Sequence, residues 1–75
     1  MDGALAERTV DARFMEPPQP FVATLEMLDT LQPGEVMQLL LYREPHPLYR
    51  VLAQNGHRWQ TELLDDGTFV VRITR

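Results

Sequence analysis

The spacing of apolar residues divides this chain of 75 residues into six short segments, and this pattern constrains its fold more than any other feature. Four segments have alternating apolar residues or a short continuous apolar run, as strands do, and two repeat every three or four residues, as helices do. Proline marks the start of each predicted helix, because an N–H in the first helical turn has no intrahelical partner to lose. The predicted strands are residues 8–14, 35–43, 57–64 and 69–74; the first helix begins within 16–20 and ends at Pro33-Gly34, and the second begins near Pro47 and ends at Asn55-Gly56.

The order β-α-β-α-β-β predicts an α+β two-layer sandwich. Each early β-α-β step implies a right-handed crossover, which places both helices on one face of a mixed four-stranded sheet and leaves the other face open. A chain of this length supports one hydrophobic core. Residues 1–75 are therefore predicted to form a single domain, in which residues 1–7 are expected to be flexible.

Alternation within the strands predicts which side chains face the helices and which face outward. The predicted inward residues are Val10, Ala12, Phe14, Met37, Leu39, Leu41, Trp59, Thr61, Leu63, Phe69, Val71 and Ile73. On the open face, Leu40, Tyr42 and Val70 are predicted to form an exposed apolar patch. Since such patches favour association, we expect a monomer or a weak homodimer that pairs through these three residues.

The charge balance and the absence of cysteine exclude several classes of function. Seven basic residues against eleven acidic ones give a net charge of -4, the wrong sign for binding nucleic acid or an anionic membrane surface. All seven basic residues are arginine, and the chain has no cysteine, so lysine and thiolate chemistry are both absent. We expect no cofactor. The first residues lack the basic region and apolar run of a signal peptide, which predicts a cytoplasmic location.

The polar residues around the two predicted helix starts are the candidate binding residues. Glu16 precedes the first helix, where a carboxylate suits the positive end of the helix dipole and can cap a free N–H or contact a partner. His46 stands between two prolines and is predicted to cap the helix or bond within the loop; a metal or haem site there is the weaker alternative. The cluster of Arg43, Glu44, Tyr49 and Arg50 is either a solvated loop with internal ion pairs or a docking patch for an acidic peptide or a carboxylate.

Two stretches resemble the TusA-like (SirA-like) sulfur-carrier domains. These are Val10-Asp11-Ala12 leading into Glu16-Pro17-Pro18-Gln19-Pro20, and Leu31-Gln32-Pro33-Gly34-Glu35-Val36 after the helix. That family has a Leu-Asp-Ala strand, a Cys-Pro-x-Pro motif at the first helix start and a Pro-Gly-Glu step before the second strand. The resemblance spans nearly the whole chain and implies a TusA-like two-layer sandwich of bacterial origin.

The resemblance also implies a lost activity. In the family the motif cysteine carries a persulfide, and here Pro17 occupies its position, with Pro18, Gln19 and Pro20 matching the rest of the motif. Proline has no nucleophile. The stretch from Arg43 to Arg50 is similar to a related, cysteine-less branch catalogued as a domain of unknown function.

These observations predict a non-catalytic accessory or protein-binding module on a sulfur-carrier scaffold. Its predicted partner-binding residues are Glu16, Pro17, Gln19, Arg43, Glu44, His46, Tyr49 and Arg50. Two alternatives stay open: an auxiliary component of a sulfur-transfer or redox pathway, and a small-ligand, metal or haem site at His46.

Overall fold

The computed structural model describes residues 8–75, and residues 1–7, which were expected to be flexible, lie outside the described part. Six elements follow one another in the predicted order. They are β1 (Thr9–Asp11), α1 (Gln19–Thr30), β2 (Val36–Leu41), α2 (His46–Gln54), β3 (Arg58–Leu63) and β4 (Phe69–Thr74).

The four strands form one mixed sheet in the order β1-β2-β4-β3. β1 runs parallel to β2, and β4 is antiparallel to both β2 and β3. The two parallel strands are joined through α1, while a hairpin turn at Asp66-Gly67 joins the last two strands, with Gly67 at a φ of +89°. The predicted α+β sandwich is confirmed, and the central place predicted for the second strand is correct.

The hydrophobic core lies between the sheet and the two helices. In the register of the sheet, Leu39 of β2 faces Val71 of β4, and Met37 faces Ile73, so these side chains form cross-strand rows on the helix side. All four are fully buried. The rest of the core cluster comes from β1 and the residue after it, from the end of β2, and from the two helices and their flanks: Val10, Ala12, Leu41, Leu28, Leu31, Leu48 and Leu52.

The last residue of the described chain closes the C-terminal end of α1. The Arg75 guanidinium donates to the carbonyl oxygens of Leu28 and Leu31 at 3.0 and 2.6 Å, and to that of Asp29 at 3.3 Å. Carbonyls in the last turn of a helix lack intrahelical donors, and a cation there also suits the helix dipole. Arg75 therefore ties the end of the chain to the first helix.

The first strand is shorter than predicted, and the prediction that Phe14 faces inward is wrong. The backbone N–H of Arg13 donates to Oδ1 of Asp11 at 3.2 Å, and the N–H of Met15 to the carbonyl of Ala12 at 3.2 Å. These local bonds turn the chain out of the sheet after Ala12. Phe14 is 84% exposed and meets Tyr42 edge to face, with 5.8 Å between the ring centroids.

The inward side of β3 is only partly covered, which corrects the prediction for Leu63. Trp59 packs against the core, as predicted, but Thr61 is exposed and Leu63 is 60% exposed. β3 is an edge strand, and α2 contacts it through Tyr49, which reaches Trp59 and Thr61. Alternation therefore gives the correct face for Leu63 but not its burial.

The predicted apolar patch on the open face is incomplete because Val70 is buried, with 4% of its surface exposed. Val70 lies on a central strand, between Leu40 of β2 and Glu62 of β3. Leu40 is half-buried, and Tyr42 is exposed beyond the end of β2. The weak homodimer predicted through Leu40, Tyr42 and Val70 stays a prediction.

Within residues 8–75, no helix has the length and apolar character needed to cross a bilayer. The cytoplasmic location stays a prediction.

Candidate functional site

Both helix starts lie at the same end of the sheet. Because β1 and β2 are parallel and each leads into a helix, their C-terminal ends deliver α1 and α2 to one edge. Between the two helix starts is an open groove of about 680 Å³, here called the helix-start groove. It is lined by Ala12, Arg13, Met15, Glu16, Pro17, Pro18, Pro20, Phe21, Leu39, Leu41, Tyr42, Arg43, Glu44, Pro45, Pro47 and Leu48.

The floor of the helix-start groove is apolar. Leu39 and Leu41 of β2 reach it from the core, and Leu48 of α2 lines it from the other side. Five prolines and Phe21 add further apolar surface at the two helix starts. Rigid proline-rich walls lose little conformational entropy on binding, so this groove is preorganised for an apolar segment.

The rim of the helix-start groove carries charges of both signs. Arg13 donates to both carboxylate oxygens of Asp11, at 2.9 and 2.8 Å. This bond lowers the pKa of Asp11 to about 2 and raises that of Arg13. Across the described residues, neither Glu16 nor Arg43 takes part in an ion pair. One carboxylate and one guanidinium on the rim are therefore available to an incoming molecule.

Glu44 connects this rim to the second helix. Its Oε2 accepts a hydrogen bond from the Tyr49 hydroxyl at 3.1 Å, and its Oε1 lies 3.4 Å from Nε2 of His46. The rings of His46 and Tyr49 meet edge to face at 5.7 Å. The loop that bears Glu44 is thus held by contacts with two residues of α2.

Tyr49 in turn is held by the sheet. Its ring stacks on Trp59 with 5.2 Å between centroids and 9° between planes, and its hydroxyl is hydrogen-bonded to Oγ1 of Thr61. Burial raises the pKa of Tyr49 above its ordinary value, the bond to Thr61 acts in the opposite direction, and the nearby Glu44 carboxylate raises it further. The phenol therefore stays protonated and keeps its donor for Glu44.

Six of the eight predicted binding residues come together here. Glu16, Pro17, Arg43 and Glu44 line the helix-start groove, while His46 and Tyr49 contact it through Glu44. The other two residues, Gln19 and Arg50, are exposed but are not among the lining residues. The sequence did not single out Arg13, Met15 or Phe21 as candidate binding residues.

The prediction that the Glu16 side chain caps the first helix is wrong, and of the two alternatives for His46, a helix cap or a bond within the loop, the loop contact is the one that forms. Pro18 and Pro45 occupy the N-cap positions, and neither helix has a side-chain hydrogen bond at its cap. Instead the backbone carbonyl of Glu16 accepts the N–H of Gln19 at 2.9 Å, and His46 makes the loop contact with Glu44. The Glu16 side chain is therefore not used by the helix start it precedes.

Among residues 8–75, no three His, Asp or Glu side chains are grouped closely enough to hold a metal ion. The side chain of His46 is 75% exposed. Ligation of a metal or haem by His46 stays a prediction.

The comparisons with known proteins agree with this architecture. A family model described as "Uncharacterized conserved protein (DUF2249)" matches residues 9–75. This chain belongs to that family. A crystal structure of a SirA-like protein from Desulfitobacterium hafniense superposes with a TM-score of 0.73, covering 88% of this chain and 93% of the other at 22% sequence identity. None of the curated proteins compared with the chain matches it.

The family member therefore has a SirA-like fold, as its motifs implied. At 22% identity the structural likeness establishes the fold alone. The Pro17-Pro18 peptide, at the position where the sulfur carriers have their Cys-Pro step, is cis. This chain has no cysteine.

Proposed function

We propose that this chain is a non-catalytic protein-binding module that takes a short segment of a partner protein into the helix-start groove. The observation that carries the proposal is the chemistry of that groove, which combines an apolar floor with one unpaired carboxylate and one unpaired guanidinium. The resembled sulfur carriers present their persulfide at this helix start. In this chain Pro17 takes that place and lines the groove.

The shape of the groove favours a protein segment over an enclosed small molecule. It is partly open to solvent, so it does not enclose a ligand as a buried cavity does. An extended segment can place an apolar side chain over Leu41 and Leu48 while its own charged groups meet Glu16 and Arg43. Apolar burial at the centre with charged groups at the rim is the usual anatomy of protein recognition sites.

The same geometry argues against catalysis by this chain. The titratable side chains that line the groove are Arg13, Glu16, Arg43, Tyr42 and Glu44, and a serine, cysteine, lysine or histidine is not among the lining residues. The carboxylate of Glu44 already accepts the Tyr49 hydroxyl. An auxiliary role in sulfur transfer remains compatible with the proposal, because such a role also requires a partner.

Affinity capture from a native lysate of the source organism tests the proposal. Two variants, Glu16→Arg and Arg43→Glu, reverse the unpaired rim charges, and Arg50→Glu makes the same change of charge outside the groove. We expect proteins retained by the wild-type chain to be lost with both rim variants and kept with Arg50→Glu, while the circular-dichroism spectra stay the same. Retention of every protein by all three variants would contradict the proposal.

A further inference from the structure

The edge strand β3 has unusually few features that prevent pairing with another strand. It pairs with β4 through six consecutive residues, from Arg58 facing Thr74 to Leu63 facing Phe69, with no bulge in the register. It contains no proline and no lysine, and its Arg58 and Glu62 charges cancel. Natural edge strands usually carry a bulge, a proline or an inward-pointing charge that blocks edge-to-edge association. The opposite edge strand, β1, has only three residues.

The hydrogen-bonding groups on the free side of β3 can be assigned from the hairpin. The N–H of Leu64 donates to the carbonyl of Thr68 at 2.8 Å, so the even-numbered residues of β3 direct their backbone groups at β4. The backbone groups of Trp59, Thr61 and Leu63 therefore point outward. The N–H of His57 is already bonded to the carbonyl of Leu52 at 2.9 Å, which limits the free edge to these three residues.

We propose that β3 pairs antiparallel with β3 of a second copy of this chain, with the two-fold axis at Thr61. This register sets Trp59 opposite Leu63 of the second copy, Thr61 opposite Thr61, and Leu63 opposite Trp59. Each of these three residues then donates its N–H to the second copy and accepts an N–H from it. It is also the register that leaves the bond of His57 undisturbed.

Side-chain chemistry favours the same register. On the helix side, the row of Met37, Ile73 and Trp59 continues into Leu63 of the second copy, which covers an apolar side chain that is 60% exposed in the monomer. On the open side, Gln60 faces Glu62 of the second copy, and Arg58 lies diagonal to that carboxylate. Diagonal neighbours in an antiparallel pair are about 7–8 Å apart, which long side chains span. The strand is thus self-complementary in both polarity and charge.

This interface is independent of the helix-start groove, so the two proposals can fail separately. Sedimentation velocity of the wild-type chain, over concentrations up to millimolar, should show a mass rising from 8.7 kDa toward twice that value. Leu63→Lys should abolish the rise, because it puts a charge against Trp59 of the second copy. Val22→Lys, which replaces another exposed apolar residue on α1, should leave it unchanged, as should Arg43→Glu.

Single cysteines then test the register, since the chain has none of its own. Opposed residues of a hydrogen-bonded antiparallel pair have Cα atoms about 5.5 Å apart, within the range of a disulfide. Under mild oxidation, Thr61→Cys should give a covalent dimer on a non-reducing gel, and Gln60→Cys should stay monomeric. A wild-type chain that stays monomeric at millimolar concentration, unchanged association of Leu63→Lys, or equal cross-linking of Gln60→Cys would overturn the proposal.

Discussion

Tyr49 donates a hydrogen bond from its hydroxyl to Glu44 at 3.1 Å. Through this bond α2 holds in place the part of the helix-start groove that Glu44 lines. The same ring stacks on Trp59, which packs against the buried cluster. Tyr49, which in the sequence was only one of several polar candidates, thus connects the sheet to the rim of the helix-start groove. Its loss should disturb the rim without disrupting the fold.

Tyr49→Phe keeps the stacked ring and removes the hydroxyl that bonds both Glu44 and Thr61. We expect a loss of about 1 kcal/mol in the free energy of unfolding, the usual net value of an intramolecular hydrogen bond, measured by urea denaturation. Tyr42→Phe is the control, because Tyr42 is exposed and its ring, which the substitution keeps, contacts the ring of Phe14. Equal losses in the two variants would contradict the assigned role of the Tyr49 hydroxyl.

Arg75→Ala removes the guanidinium that closes α1. The carbonyl of Leu31 then loses its guanidinium donor, whereas that of Leu28 keeps the backbone N–H of Leu31. Bonds to charged groups contribute about 1.5–3 kcal/mol, and part of this is recovered when water reaches the freed carbonyls. We therefore expect a loss of about 1–2 kcal/mol and faster amide exchange in the last turn of α1. Arg50→Ala, on the exposed face of α2, should change neither measurement.

Acid should weaken the fold as Asp11 is protonated. Its bond with Arg13 lowers the pKa of Asp11 from 3.8 to about 2 in the folded chain. A carboxyl group whose pKa is depressed by folding stabilises the folded state above its unfolded pKa, and this contribution is lost as the pH falls through its folded pKa. Both side chains are partly exposed to solvent, which screens the pair, so the effect should be small.

The measurement is the free energy of unfolding against pH, compared between the wild-type chain and Asp11→Asn. The difference between them should be constant above about pH 5 and shrink as the pH falls from about 5 through about 2. Asp66, whose pKa is lowered by the Thr68 backbone N–H, adds to the acid loss in both proteins and cancels in the comparison. A difference that does not change across this interval would show that the Asp11–Arg13 pair has no effect on stability.

Leu52 and Leu63 distinguish the core from the edge. Leu52 is fully buried, whereas Leu63 is 60% exposed although alternation predicts an inward face for it. Leu52→Ala should lower the free energy of unfolding by about 2–5 kcal/mol through lost burial and a cavity. Leu63→Ala, measured at a concentration where the chain is monomeric, should lower it by less than about 0.5 kcal/mol. Similar losses would contradict the partial covering of β3 by α2.

The element order was predictable from the sequence because the spacing of apolar residues and the positions of proline and glycine indicate the same breaks between elements. Gly34, Gly56 and Gly67 all adopt a positive φ, at the turns where the sequence places breaks. Local chemistry of this kind acts within a few residues, so it is readable without the fold. Phe14 is an exception: alternation predicts that the first strand continues to this residue, but the bond from the Arg13 N–H to the Asp11 side chain ends the strand before it.

The burial of residues at the sheet edge and the shape of the groove could not be predicted from the sequence. Val70 and Leu63 are both apolar strand residues, and only the strand order β1-β2-β4-β3 puts the first at the centre and the second at the edge. The groove likewise depends on two helix starts that are far apart in sequence. The sequence identified Glu16 and Arg43 as candidates but could not show that the groove also includes Met15 and Phe21.

Site-specific photocrosslinking tests the central claim most directly. A photoreactive phenylalanine analogue that replaces Met15 would line the helix-start groove. The same analogue in place of Val22 would lie on the exposed side of α1. Irradiated in a native lysate, the chain should form a discrete covalent adduct with a partner protein from position 15 and not from position 22. The Met15 adduct should disappear when Arg43→Glu is added. Absence of any adduct from Met15, or the same adduct from both positions, would contradict the account of this groove as a protein-binding site.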